Sequence, residues 1–300
     1  MHASVLNFEY VSIPVPITAI VTAYQRIDQT LSTLRELQNC QPPPAEILVH
    51  VDGNQTDCVG AIRATFPSVR VFVSEGNVGP GGGRNKLVAA AEFEFVASFD
   101  DDSYPHDPDF FGRVVSAAEE FPNAAVYSAG IYHQGESPPD PSAANMEHAD
   151  FGGGGCVFSR GAFLEAGGYV PLPIAYGMEE VDLALRLHAM GRRVIRIPRL
   201  RVFHDTVLER HAAPSVTAGS IANIALLAFL RYPVSWWPMG LVQILNRVRW
   251  LVLHRRFAGI LSGLCQIPPH CWQHRNYRKP VPANRLRTYL ALRRKPVAPE

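Results

Sequence analysis

The stretch Phe93-Glu94-Phe95-Val96-Ala97-Ser98-Phe99-Asp100-Asp101-Asp102-Ser103 sets an apolar run directly against three adjacent carboxylates. Like charges one residue apart repel and resist an apolar neighbourhood, so a fold that places them at a strand end holds a cation there. An Asp-X-Asp pair suits a hard divalent ion. Asp100 and Asp102 both reach an octahedral Mg²⁺ or Mn²⁺ and leave positions open for phosphate oxygens. Taken alone, the stretch also reads as a solvated acidic turn.

Working outward, residues 17–23 form a β-branched run that reads as a buried strand, after a proline-bearing extension over residues 1–14. Asp28 is placed to cap a helix bearing Leu31, Leu34 and Leu37 on one face, and Gln41-Pro42-Pro43-Pro44 stops it. Residues 46–52 read as a second strand ending in the polar turn Asp52-Gly53-Asn54-Gln55-Thr56-Asp57. A third, residues 69–73, leads through Asn77-Val78-Gly79-Pro80-Gly81-Gly82-Gly83-Arg84-Asn85 to a helix with Leu87, Val88 and Ala91. Strands alternating with helices predict an α/β fold with a doubly wound, mostly parallel sheet, whose ligands bind beyond the carboxyl ends of the strands. Tyr24, Asp52, the glycine-rich stretch and the three aspartates all fall at such ends. The glycines make neither a Walker loop nor a dinucleotide fingerprint; they serve as a flexible link or offer backbone N–H groups to phosphate. Arg84 reads as a diphosphate contact or a surface ion pair.

Downstream, residues 124–128 read as a strand and the Pro/Ser/Gly-rich segment to about 149 as a mobile lid or acceptor loop. Four glycines at 152–155 point to backbone packed against a bulky ligand, or to simple flexibility. Residues 177–191 predict a helix with Leu183, Leu187 and Met190 inward and an Asp182/Arg186 pair at i,i+4. Glu179 and Glu180 open that helix. First-turn acids favour the dipole, and two adjacent glutamates can also hold one pKa up, as a general base near neutral pH requires. His204, ending a strand pair at 194–197 and 201–204, is either a core histidine or a third metal ligand.

The average charge, +1 over 300 residues, conceals a division. Residues 1–183 hold 24 Asp/Glu against 8 Lys/Arg, and residues 184–300 hold 3 against 20. A basic third rich in Trp and Leu favours anionic lipid over nucleic acid. Five scattered cysteines argue for a reducing compartment, and the Cys265, His270, Cys271, His274 group matches no standard zinc spacing. No basic region followed by an apolar run opens the chain, so a cytoplasmic location is expected.

In order, Thr22-Ala23-Tyr24, the Asp52 to Asp57 turn, Asn77 to Asn85, Phe99 to Asp102, Gly152 to Phe158 with Gly168-Tyr169, and Glu179 to Leu183 with Arg186 resemble the inverting family 2 glycosyltransferases of GT-A fold. The resemblance covers about residues 15–205 and implies a nucleotide-diphosphate sugar donor with Mg²⁺ or Mn²⁺ on Asp100, Asp102 and His204. It implies a donor pocket from Thr22, Tyr24, Arg26, Asp52, Asn77, Gly79, Arg84, Asn85 and Asp101. The family's base is the aspartate of a Glu-Asp pair, and that position is Glu180 here, with Glu179 adjacent. The expected acceptor is a glycan or a lipid-linked hydroxyl. Two other readings are a sugar-phosphate nucleotidyltransferase, whose basic N-terminal glycine signature residues 19–26 lack, and a non-catalytic sugar-nucleotide-binding protein with an altered base.

Residues 206–300 read as a basic, helical extension. The run 212–230 has bridging length, but Pro214, Asn223 and several Ser/Thr make it a poor membrane span. Trp237, Leu241, Ile244, Leu245, Val248 and Val252 make one helical stripe with arginines nearby. It either docks on the catalytic fold or lies peripherally on an anionic membrane.

Overall fold

The computed structural model describes residues 13–206, apart from 173, 175 and 177, and residues 213–299; most of the N-terminal extension lies outside them. The chain opens with β1 (Val15–Ala23), α1 (Ile27–Asn39), β2 (Pro44–Val51), α2 (Thr56–Thr65), β3 (Arg70–Val73), α3 (Gly79–Ala90) and β4 (Phe95–Asp100). These four strands pair in parallel in the order β3-β2-β1-β4. Then follow β5 (Ser103–Pro105), α4 (Phe110–Glu120), β6 (Ala124–His133), β7 (Met146–His148), β8 (Gly155–Ser159), α5 (Arg160–Glu165), α6 (Glu179–Ala189) and β9 (Arg193–His204). The sheet continues β4-β8-β6-β9-β5, with β8 antiparallel to both neighbours and β6 parallel to β9.

Alternate residues of β1 serve opposite faces. Ile17, Ala19 and Val21 join Leu34, Leu37, Phe110 and Val114 in one apolar cluster. Ile20 joins Leu87, Val88, Phe163 and Leu183 in the other. Both faces of the sheet are thus covered, which is why β1 reads as a continuous apolar run.

Four local expectations change. Met190, expected to face inward with Leu183 and Leu187, caps the end of α6 and is 39% exposed. Asp28 lies in the first turn of α1 and does not cap it. The glycine-rich stretch is the first turn of α3 itself, with Gly79, Gly81, Gly82 and Gly83 buried, so it is neither a loop nor a flexible link. The strands expected at 194–197 and 201–204 are one, β9.

After β9 come α7 (Pro214–Arg231), α8 (Trp237–Leu253), α9 (Ile260–Gln273) and α10 (Ala283–Arg294). Leu226, Leu230, Leu286 and Tyr289 belong to the same cluster as Ile20 and Leu183, so this region shares the core of the sheet. By length and composition α7 passes as a membrane span, but 72% of it is buried inside the protein between its neighbours. The α8 stripe is not docked: within α8 only Gly240 and Leu251 are buried, and Leu241 and Leu245 are each 57% exposed.

Candidate active site

β1 and β4 pair with Thr22 opposite Asp100, which sets the threonine beside the first aspartate. β5 pairs with β9 so that Ser103 lies opposite His204. That pairing, across a sequence distance of a hundred residues, carries the imidazole to the carboxylates. His204 Nε2 lies 3.0 Å from Asp102 Oδ1. Asp100, Asp102 and His204 each present one ligand atom within 4.8 Å of the others, and among the described residues they are the grouping that can hold a metal; the Cys265 to His274 group is not. Two carboxylates and an imidazole fit Mn²⁺ or Mg²⁺ with open positions.

Cations of the chain already hold these acids. Arg84, buried to 2% exposure, donates from Nε to Ser98 Oγ at 2.9 Å and from Nη2 to Asp100. Burial works against its charge, but Asp100, Tyr169 and both α6 glutamates outweigh that and keep the guanidinium protonated. Arg26 pairs with Asp101 at 2.5 Å and also with Asp102. Burial pushes the Asp101 carboxyl up to about 7, against the opposing pull of Arg26 and the Tyr24 N–H.

Beside the acids lies a cleft of about 320 Å³ lined by Thr22, Tyr24, Arg26, Asp52, Asn77, Gly79, Asp100 and Asp101. Gln25, with φ of +59°, makes the turn after β1 that holds Tyr24 at its rim, its N–H donated to Gln55. Asp52 accepts from the N–H groups of Val78 and Gly79 at 2.9 and 3.0 Å, so it caps α3 while lining the cleft. Two expected donor contacts lie elsewhere. Asn85 is committed to the backbone of Tyr169, and Arg84 sits beneath Asp100 as a buried counter-ion, not at the cleft wall.

A match to the family described as "Glycosyl transferase family 2" spans residues 18–169. The chain belongs to this family. The glycosyltransferase also shares its fold with two solved structures. One is "Crystal structure of GalNAc-T7 with UDP, GalNAc and Mn2+", at 13% identity and TM-score 0.57, covering 74% of this chain and 49% of that one. The other is "Mannosyltransferase PcManGT from Pyrobaculum calidifontis in complex with GDP-Man and Mn2+", at 14% identity and TM-score 0.57, covering 94% and 88%. This chain therefore spans about half the length of the first. No curated protein matches it.

The two α6 glutamates of the glycosyltransferase face different surroundings. The Glu179 carboxylate fills the space beside Gly81, where an added Cβ would lie 2.5 Å from Oε1. It is 1% exposed, and neither oxygen finds a hydrogen-bond partner among the described residues. Burial, reinforced by the neighbouring Glu180, pushes its pKa well above the ordinary glutamate value, against the opposing pull of Arg84. Glu180 turns instead toward Arg84 and the glycine segment: a Cβ on Gly153 would come within 2.8 Å of its Oε1 and 3.1 Å of Arg84 Cζ. Burial raises its pKa and Arg84 opposes the rise.

The glycines before β8 are explained by the chain's own side chains. Gly152 and Gly155 abut Ile131, Gly153 abuts Glu180 and Arg84, and Gly154 abuts Asp100. Neither a bulky ligand nor loop flexibility is needed. A Cβ at Gly154 would lie 2.3 Å from Asp100 Oδ2. Gly154→Ala is therefore expected to displace Asp100 and lower activity on the order of a hundredfold, the cost of an ångström-scale misplacement. Weaker Mn²⁺ binding in calorimetry with an unchanged circular dichroism spectrum checks it.

Sequence reading passed over three residues. His50, buried beside Gly83 and 2.7 Å from Ser74 Oγ, lines the cleft. Ser98 and Ser103 donate to the carbonyls of Gly153 and Gly154 at 2.7 Å, which ties the aspartate turn to the glycine segment. A polar residue facing inward from an apolar strand was the available signal for His50 and Ser98.

Proposed function

We propose that this glycosyltransferase moves a sugar from a nucleoside-diphosphate sugar to an acceptor hydroxyl with inversion, using Glu180 as general base. The observation that carries the reading is the line Glu180, Arg84, Asp100. It sets the buried Arg84 cation, which keeps its proton, between a raised carboxylate and the metal-type acid that lines the cleft. Asp100, Asp102 and His204 would hold Mg²⁺ or Mn²⁺, which when bound offsets the charge of the departing diphosphate.

The chain's own residues do the rest. The cleft seats the nucleoside, with Tyr24 at its rim and Asp52 at its floor. Arg26 adds a cation that can move from Asp101 and Asp102 to the diphosphate once those acids are otherwise engaged. Glu180 accepts the acceptor hydroxyl's proton as the oxygen attacks the anomeric carbon, and the bond to the diphosphate breaks on the opposite side. A single displacement of this kind inverts configuration.

The acceptor is proposed to be a glycan or a lipid-linked hydroxyl in polysaccharide or glycolipid assembly, handled on the cytoplasmic face of an anionic membrane. The support is compositional and positional: residues 213–299 hold thirteen Lys/Arg and no Asp/Glu, beside an undocked apolar stripe.

A thermal-shift screen of nucleoside diphosphates, with and without Mn²⁺, tests the donor site, because a ligand of the native state raises Tm by mass action. The expected result is Mn²⁺-dependent stabilisation by one nucleotide series, lost in Asp102→Ala. Stabilisation by no nucleotide in the wild-type protein would overturn the reading.

A further inference from the structure

A second cavity, about 660 Å³, opens between α7, α8 and α10, away from the donor cleft. Its walls combine two chemistries. Leu227, Met239, Val242 and Leu290 give it an apolar side, and Arg247, Arg293 and Arg294 line it with cations. Tyr176, three residues before Glu179, also lines it, so the cavity borders the segment that leads into the catalytic helix.

No carboxylate among residues 213–299 balances these charges. Across 213–299 there is none in the sequence, and among the described residues Arg231 is the one cation of that region with a carboxylate partner. Arg247 hydrogen-bonds Ser220 and stacks over Trp250, while burial and Arg256 both work against its charge. A site that concentrates arginines with no internal counter-charge is complementary to an anion. The apolar wall says the anion carries a hydrocarbon part.

The surroundings say where such a molecule comes from. Val242 belongs both to the cavity and to the exposed apolar side of α8, next to Leu241 and Leu245, and Leu261 and Trp272 of α9 are 75% and 69% exposed. Exposed Leu and Trp among arginines make the composition that lies in the interfacial layer of an anionic bilayer.

We propose that this cavity seats the phosphate-bearing end of a membrane lipid, with Arg247, Arg293 and Arg294 around the phosphate and the first part of the chain against Leu227, Met239 and Val242. It rests on the transferase reading only in naming that lipid as the carrier of the acceptor hydroxyl. The phosphate would then be held on the C-terminal helices while the sugar-bearing end extends past Tyr176 toward Glu180.

The test is vesicle co-sedimentation of the full chain, without nucleotide, on phosphatidylcholine alone and with phosphatidic acid or phosphatidylglycerol at matched surface charge. Arg293→Ala/Arg294→Ala removes two cavity cations, and Arg285→Ala/Arg287→Ala removes two exposed cations of the same helix outside the cavity. The expected result is tightest partition onto phosphatidic acid, whose phosphomonoester is unhindered. The first double variant loses on the order of thirtyfold, as for two cations at an anionic surface, and the second loses markedly less. Equal losses in both variants would show diffuse attraction and overturn the cavity assignment. Binding to no vesicle, or to RNA instead, would also overturn it. Because no donor is present, a failed nucleotide screen leaves this result readable, and a failed vesicle assay leaves donor binding untouched.

Discussion

Glu180→Gln is expected to lower kcat on the order of a thousandfold, within the range for losing a positioned general base, while nucleoside diphosphate with Mn²⁺ still raises Tm. The amide keeps the size of the side chain but can neither take a proton nor carry the negative charge that faces Arg84. Glu179→Gln is the matched control. Burial and Glu180 push the Glu179 carboxyl well up, toward the uncharged form that an amide imitates. Activity should stay within a few-fold of wild type and stability within about 1 kcal/mol, the worth of one altered hydrogen-bonding group. The pH profile supplies a second readout. Burial raises Glu180 above the ordinary glutamate value of about 4.3. A base must be deprotonated to act, so activity falls as pH drops through that raised value. An acid limb at ordinary glutamate pH, or a large loss in Glu179→Gln with a small one in Glu180→Gln, would transfer the role to another group.

The division of labour between these two neighbours was not legible in the chain. Adjacent residues at a helix start point about 100° apart, and which one meets the cleft depends on where α3 and the glycines before β8 lie. The alternation of strands and helices, the carboxyl-end placement of Thr22, Tyr24, Asp52 and the aspartates, and the His204 contact were legible, because each follows from local pattern or from a family motif. The reversed strand β8 was not, since a five-residue apolar strand carries no sign of its direction. Asn85 and Arg84 sit in the expected segment yet face inward from α3, because the glycine stretch that was to be a loop is helical and rotates them away from the cleft. Least legible was the C-terminal region, where a stripe of Leu and Trp has the same periodicity whether it docks on a core or faces a bilayer.

Asp182→Asn is expected to destabilise the fold by roughly 3–5 kcal/mol, the cost of breaking a buried ion pair by removing one partner. For a chain of this size that is a fall in Tm of roughly 10 °C. Asp182 is fully buried and takes Arg186 from its own helix at 2.7 Å and Arg231 from the end of α7. Arg231 in turn donates to the Tyr277 carbonyl at 2.8 Å, so one carboxylate fastens the catalytic helix to the C-terminal helices. The asparagine would leave two buried guanidinium groups facing each other. Burial alone would raise the Asp182 pKa, but the two arginines outweigh it and hold the group below its usual value. A carboxylate with a depressed folded pKa contributes stability above its unfolded pKa and loses it only as pH falls through the lower folded one. The deficit of the variant should therefore be full at neutral pH and shrink only below the ordinary aspartate range of about 3.9. Denaturant melts of both proteins at neutral and acidic pH check this. A deficit under 1 kcal/mol at neutral pH would mean that α6 is held in place by the apolar packing of Leu183 and Leu187 alone, and that the orientation of Glu180 does not depend on the C-terminal helices.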